Sequence, residues 1–385
     1  MGPLQYLTDP KSHQLYKRIS IVEELGIDWD TRSIHEVIKN LNDQGIDAYP
    51  ATFPQDSFNS SWIQEKFGTS PTRIWPLSGI SRVKTVYGIE SGRYMIYSSD
   101  RYGFNNDDNV YDQTEYPIII LGDSFVHGCC VQEGEDIAGN LRTRGHNAIN
   151  LGMGGNGPLN NLATLREYGE TIQPKLILWL YYENDWENLK TEFSHPLLQQ
   201  YINNPEFRQS LVVRQSETDL FWKSAIQIYN NDVTTSTDSG SVVKATIETT
   251  AINVTKFILL DNIWSIIRRI IAIPSDGNQE SEHVEAFSKV LENAKLESAR
   301  LGANLHFIHL PSYGSVVNRD NRSGDRILTL VKQLDIPVID LYEVISLLED
   351  PLHVFPLRMR GHYNKEGYSL LAEIIEDKVI SEQSP

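Results

Sequence analysis

Four residue types at four separated places in this chain could together supply a nucleophile, a base and donors for an oxyanion. Ser124 follows the apolar run Pro117 to Leu121 in "YPIIILGDSFVHG", where a buried strand ends on an acid and a hydroxyl. A hydroxyl at the carboxyl edge of a parallel sheet stands where open α/β folds hold ligands, and the competing role is an ordinary helix cap. "NLGMGGNGP", Asn150 to Pro158, is glycine-rich; glycines let the backbone approach a ligand and aim successive N–H groups one way, as an oxyanion site requires. Asn184 in "YYENDW" carries an amide that can donate to an oxyanion without bearing charge, or else caps a helix. His362 in "RGHYNKEGY" lies in a loop before the last amphipathic stretch, where a return over the strand edge would offer a general base.

Two neighbouring readings are weaker. Gly152, Gly154 and Gly157 satisfy G-x-G-x-x-G, yet that fingerprint expects the first strand of its unit and an acid some twenty residues on, where Ile177 stands. His127 is too close to Ser124 in sequence to be the favoured base, and Asp123 is better suited to shaping the turn by hydrogen bonds.

The elements that must position these residues follow from periodicity. From Tyr116 onward short apolar runs alternate with helical patterns, the signature of βα units and a parallel sheet. Strands are expected at Pro117 to Leu121, Ala148 to Leu151, Leu176 to Tyr182, Leu305 to Leu310 and Pro337 to Leu341. Helices are expected over "EDIAGNLRTRG" and "PLNNLATLREYGE", and at the end, where Tyr368, Leu371, Ala372, Ile375 and Val379 share a face. Five such strands give a flavodoxin-like, three-layer α/β/α fold with a central parallel sheet.

Residues 1–115 read as an N-terminal extension packed on this core. Ser33 and Glu36 make a capping box for a helix stopped by Gly45, and "VKTVYGIESGRYMIYSSD" is a hairpin turning at Glu90 to Arg93. The second unit spans 116–385, with a long helical insertion at about 186–285 after the third strand. That insertion includes a Ser/Thr-rich stretch, residues 233–250, expected to be a mobile loop. It ends in an apolar-striped helix over 256–273, expected to pack on its own domain or to meet a substrate, a partner or a membrane surface.

In this order the blocks resemble the SGNH, or GDSL-like, hydrolases. "GDSF" matches the first block, "NLGMGG" the second, "ENDW" the third and "GHYNKEGY" the last. The resemblance makes Ser124 the nucleophile and His362 the general base. The backbone N–H groups of Ser124 and Gly155 and the side chain of Asn184 become the oxyanion hole. It implies an esterase acting on a small acyl group such as acetyl, on a carbohydrate or another ester, by hydrolysis or transfer. "SDRYGFNN" resembles a segment preceding this domain in bacterial members tied to cell-surface polysaccharide chemistry. Two departures stand out. Tyr182 replaces the glycine of the third block, and Arg360 and Met359 stand where the family carries the acid that supports the histidine. Asp350 is the candidate acid, with Asp340 behind it; a dyad steered by a backbone carbonyl is the other arrangement. The aromatic residues Trp179, Tyr181, Tyr182 and Trp186 either line a sugar subsite or belong to the core.

Composition narrows the partners. In 385 residues, 34 basic against 51 acidic side chains leave a net charge of −17, which argues against nucleic acid or anionic membrane as the main partner. No run is long enough to span a membrane, and "MGPLQYLTDPKSHQLYK" lacks the pattern of an export signal, so a soluble chain is expected, its compartment open. Cys129 and Cys130 are adjacent, and an ordinary disulfide between neighbours is sterically disfavoured. No ligand cluster for a metal or cofactor is visible, and none is expected. The rival from another class is a non-catalytic carbohydrate-binding or scaffold protein that keeps the fold.

Overall fold

A computed structural model describes residues 18, 20–59, 74–113, 116–235 and 277–381 of the chain. The helix expected over 256–273 and most of the Ser/Thr-rich stretch fall outside these residues.

The hairpin is formed by β2 (Lys84–Ile89) and β3 (Tyr94–Ser98), antiparallel, with β1 (Ala48–Pro50) added parallel to β2. Helix α1 (Ile34–Asp43) starts at the Ser33/Glu36 capping box and lays Val37 against Val86, Ile89 and Tyr94. On the other face Tyr87, Met95 and Tyr97 pack with Phe53, Cys129 and Cys130. Alternation, with a register shift between Val86 and Ile89 that brings both to one side, thus gives the small sheet two apolar faces, one for its own helix and one for the loop that follows Ser124.

The second sheet contains the five expected strands: β4 (Ile118–Leu121), β5 (Ala148–Asn150), β6 (Leu176–Tyr181), β7 (Asn304–His309) and β8 (Val338–Asp340). All pair in parallel, in the order β5-β4-β6-β7-β8. This is the flavodoxin-like order, whose chain reversal opens a crevice at the carboxyl ends of the central strands. The short helix α2 (Ser124–His127) follows β4 directly.

Alternate side chains bury on opposite faces. Ile118, Ile120, Leu176, Leu178 and Leu180 face α3 (Ile137–Thr143) and the C-terminal helix, residues 365–375. Ile119, Leu121, Ile177, Trp179, Tyr181 and Phe307 face α4 (Pro158–Ile172) and the long helix at residues 277–301. The fold is therefore three-layered α/β/α. The last helix buries Tyr368, Leu371, Ala372 and Ile375 as its spacing requires, and Val379 beyond it is buried too.

Between β6 and β7 the chain inserts α5 (Asp185–Phe193), α6 (Pro196–Asn203) and α7 (Gln215–Thr235). Phe221, Trp222 and Ala225 of α7 pack on Ile80 and Val83, and the Trp222 indole donates to the Ser78 carbonyl at 2.8 Å. The insertion thereby braces the N-terminal segment. Among the described residues no helix is long and apolar enough to cross a membrane.

Candidate active site

β4 runs into Gly122, where a side chain would collide with Val126, and Asp123 then turns the chain into α2. The Asp123 carboxylate accepts the Phe125 N–H at 2.9 Å, so this acid is a cap. Ser124, first residue of the helix, is 8% exposed and directs Oγ to Nε2 of His362 at 2.8 Å. The imidazole lies against the Phe125 ring, 4.6 Å between centroids. Its Nδ1 meets Oε1 of Glu90 at 3.0 Å, and the other oxygen of Glu90 accepts the His362 backbone N–H at 2.8 Å.

This corrects the expected acid. Asp350 forms an ion pair with Arg358, and Asp340 accepts from His309 at 2.8 Å and from Asn321 at 2.9 Å. Neither faces His362. Glu90 comes instead from the hairpin turn, 272 residues away in sequence. Gly361 gives it room, since a Cβ there would stand 2.7 Å from Oε2. Burial of Glu90 pulls its pKa upward, but the adjoining His362, with its ring and backbone bonds, and the Arg18 charge outweigh that and hold it at about 2. The carboxylate is therefore ionised at neutral pH. With Nδ1–H committed to Glu90, Nε2 is the free lone pair and Ser124 the donor to it.

The two backbone donors that the sequence assigned to the oxyanion are left open. Gly154 N–H donates to Nδ1 of His127 at 3.2 Å and Asn156 N–H to the Met153 carbonyl at 3.0 Å, whereas among the described residues the N–H groups of Ser124 and Gly155 have no acceptor. Gly155 has φ +75°, a conformation suited to glycine, and Gln55 of the N-terminal segment lies directly against its Cα. Asn184 opens α5 without capping it, and its buried Oδ1 has no hydrogen-bond partner among the described residues. The amide is therefore not consumed in helix capping. All three groups stand at the carboxyl ends of the neighbouring strands β4, β5 and β6.

The glycine stretch is shaped from several sides. Asn150 donates to the Val126 carbonyl at 2.6 Å and accepts Gly152 N–H at 2.9 Å, tying the loop to α2. Asn106, in the "SDRYGFNN" segment, exchanges two 2.8 Å bonds with the Asn150 backbone, and Asn105 donates to the His127 carbonyl. His127 is wholly buried between Gly154 and the Tyr97 hydroxyl, 2.7 Å from Nε2, with Tyr87 stacked at 4.8 Å. Burial, with the nearby His362, lowers its pKa to about 3, so it is a neutral strut.

A dinucleotide has no seat here. The carboxylate of Glu192 takes the N–H groups of Gly157 and Leu159 at the start of α4, where a phosphate would bind. Trp179 and Tyr181 are core residues, and Trp186 packs on His283 and Phe287; Tyr182 stacks on Phe125 at 4.0 Å.

The cysteines also depart from expectation. Cys129 and Cys130 are joined by a disulfide across a cis peptide. Donor atoms of Glu90, Cys129, Cys130 and His362 lie within 4.8 Å of one another, a metal-capable grouping that no sequence spacing displayed.

Chemically, a serine hydroxyl bonded to an imidazole that is held by a carboxylate is the arrangement that makes serine nucleophilic. No protein-family model and no curated protein matches the chain. Among solved structures it is similar to a two-domain esterase active on acetylated mannans, at 13% identity and TM-score 0.36 over 72% of this chain and 53% of that one. The chain thus spans about half the length of that structure. It is also similar to a putative acylhydrolase from Bacteroides fragilis, at 12% identity and TM-score 0.36 over 70% of this chain and 89% of that one.

Proposed function

We propose that the protein is a serine esterase of SGNH type. The observation that carries this reading is the continuous relay from Ser124 Oγ through both nitrogens of His362 to Glu90. Ser124 attacks an ester carbonyl and passes its proton to Nε2 of His362. Glu90 keeps the ring in the required tautomer and stabilises the imidazolium. The backbone N–H groups of Ser124 and Gly155 and the Asn184 amide receive the oxyanion. His362 then protonates the departing alcohol, and water, or a second hydroxyl in a transfer reaction, attacks the acyl-enzyme by the same path in reverse.

The resemblance of the four sequence blocks to the SGNH hydrolases implies a small acyl group, such as acetyl, on a carbohydrate. Ser124 and His362 are each under 10% exposed, and Gln55 closes on Gly155, a confined space that suits a short acyl chain. A non-catalytic scaffold would not need a carboxylate held in register on the outer nitrogen of His362.

The test is a fluorophosphonate probe followed by intact-protein mass, with hydrolysis of p-nitrophenyl acetate in parallel. One adduct per chain and turnover, both abolished by Ser124→Ala, are expected. An unlabelled wild-type protein without turnover overturns the reading.

A further inference from the structure

We propose that Cys129 and Cys130, once reduced, form with Glu90 and His362 a binding site for a thiophilic divalent cation such as Zn2+, and that its occupation switches the esterase off. The switching part rests on the esterase reading above; the binding part does not.

The four donors already stand together, all within 4.8 Å of one another. Zinc bonds of about 2.3 Å to sulfur and 2.0–2.2 Å to nitrogen or oxygen put neighbouring tetrahedral ligands roughly 3.3–3.8 Å apart. Closing the cluster therefore needs a contraction of about an ångström, while the two sulfurs separate. The surroundings are anchored: the Tyr368 hydroxyl holds the Cys129 carbonyl at 2.7 Å, and a Cβ on Gly88 would lie 2.9 Å from Cys130 Sγ, so β2 runs against the sulfurs. Both cysteines are 5% exposed, which shields a bound ion from water. Two thiolates and an imidazole select a soft or borderline cation over calcium or magnesium. The ligands carry three negative charges against two on the cation, and Arg18, whose charge acts on Glu90, offsets the remainder.

Each step balances. The S–S bond takes two electrons and two protons from an external dithiol, which is itself oxidised to a disulfide. The cation then displaces both thiol protons to solvent and accepts one oxygen of Glu90 and the Nδ1 lone pair of neutral His362, whose single ring proton moves through solvent from Nδ1 to Nε2. Glu90 and His362 are thereby withdrawn from Ser124. Reduction alone leaves the relay intact.

The full chain is reduced with dithiothreitol, desalted under argon and titrated with Cd2+, whose thiolate bonds absorb in the ultraviolet. Oxidised protein is titrated alongside. One Cd2+ per reduced chain, with the thiolate band, and none per oxidised chain are expected. Glu90→Gln should weaken binding at least about tenfold, and Ser124→Ala should leave it unchanged. Zn2+ should suppress fluorophosphonate labelling of the reduced protein only, with recovery on adding a chelator. Equal binding in both redox states, or none in the reduced one, overturns the site. Binding without loss of labelling overturns the switch. Because Ser124→Ala still reports Cd2+, failure of the esterase reading remains distinguishable from failure of the site.

Discussion

Glu90 grips His362 twice, with Oε1 on the ring Nδ1 at 3.0 Å and Oε2 on the backbone N–H at 2.8 Å. One carboxylate thus fixes both the tautomer of the His362 ring and the loop that carries it. It does so from the N-terminal hairpin, so that hairpin is part of the candidate site.

Glu90→Gln is isosteric but cannot accept both bonds, because its NH2 must face one of the two N–H groups. The expected result is a fall in kcat on the order of 10²–10⁴ with the fold retained. A steady-state comparison with wild type, with circular dichroism as the control, checks it. Unchanged kcat would remove Glu90 from the relay.

Asn184→Ala should lower kcat on the order of 10²–10³ while KM moves little, because an oxyanion donor acts on the transition state and not on the bound ester. If KM rises and kcat holds, the side chain binds substrate and does not stabilise the oxyanion.

Gly361→Ala places a methyl 2.7 Å from Glu90 Oε2 and must push the carboxylate aside. A displacement of about an ångström at a positioning group can cost on the order of 10² in rate. Turnover of Gly361→Ala should therefore fall, and Gly361→Ala in the Glu90→Gln background should add little. Additive losses would show that the glycine acts elsewhere.

His127 and Glu90 should each contribute to acid sensitivity, and with the same sign. His127 has its pKa lowered to about 3 by burial and by His362, so the unfolded chain binds a proton below pH 6.5 that the folded chain refuses. Its contribution is present above pH 6.5 and declines as pH falls toward 3. Glu90 is depressed from 4.5 to about 2 by His362 and Arg18 against the upward pull of burial, and its contribution is lost between those values. Melting temperatures from pH 7.5 to 4 should drop less steeply in His127→Gln than in wild type. Parallel curves would show that His127 titrates alike in both states.

Much of the architecture is legible along the chain because it is local. Apolar runs a few residues long and helical stripes place β4 to β8 and the last helix, and the strand-end positions of Ser124, Gly155 and Asn184 follow from them. The acid partner of His362 is not local. Spacing points to Asp350, with Asp340 behind it; Asp350 fails because Arg358 claims it, and Asp340 because His309 and Asn321 do. Glu90 becomes the partner only when Tyr87, Met95 and Tyr97 dock the hairpin onto the loop after Ser124, a long-range apolar contact that no spacing rule encodes. The same docking decides that Cys129 and Cys130 lie beside Glu90, that His127 is buried and neutral, and that Gln55 covers Gly155. Sequence alone determined which elements form and which edge of the sheet carries the candidate site, because periodicity and strand ends are properties of short stretches. Which carboxylate completes the relay was decided by the tertiary structure, because burial and pairing of a charge depend on what packs against it from far along the chain.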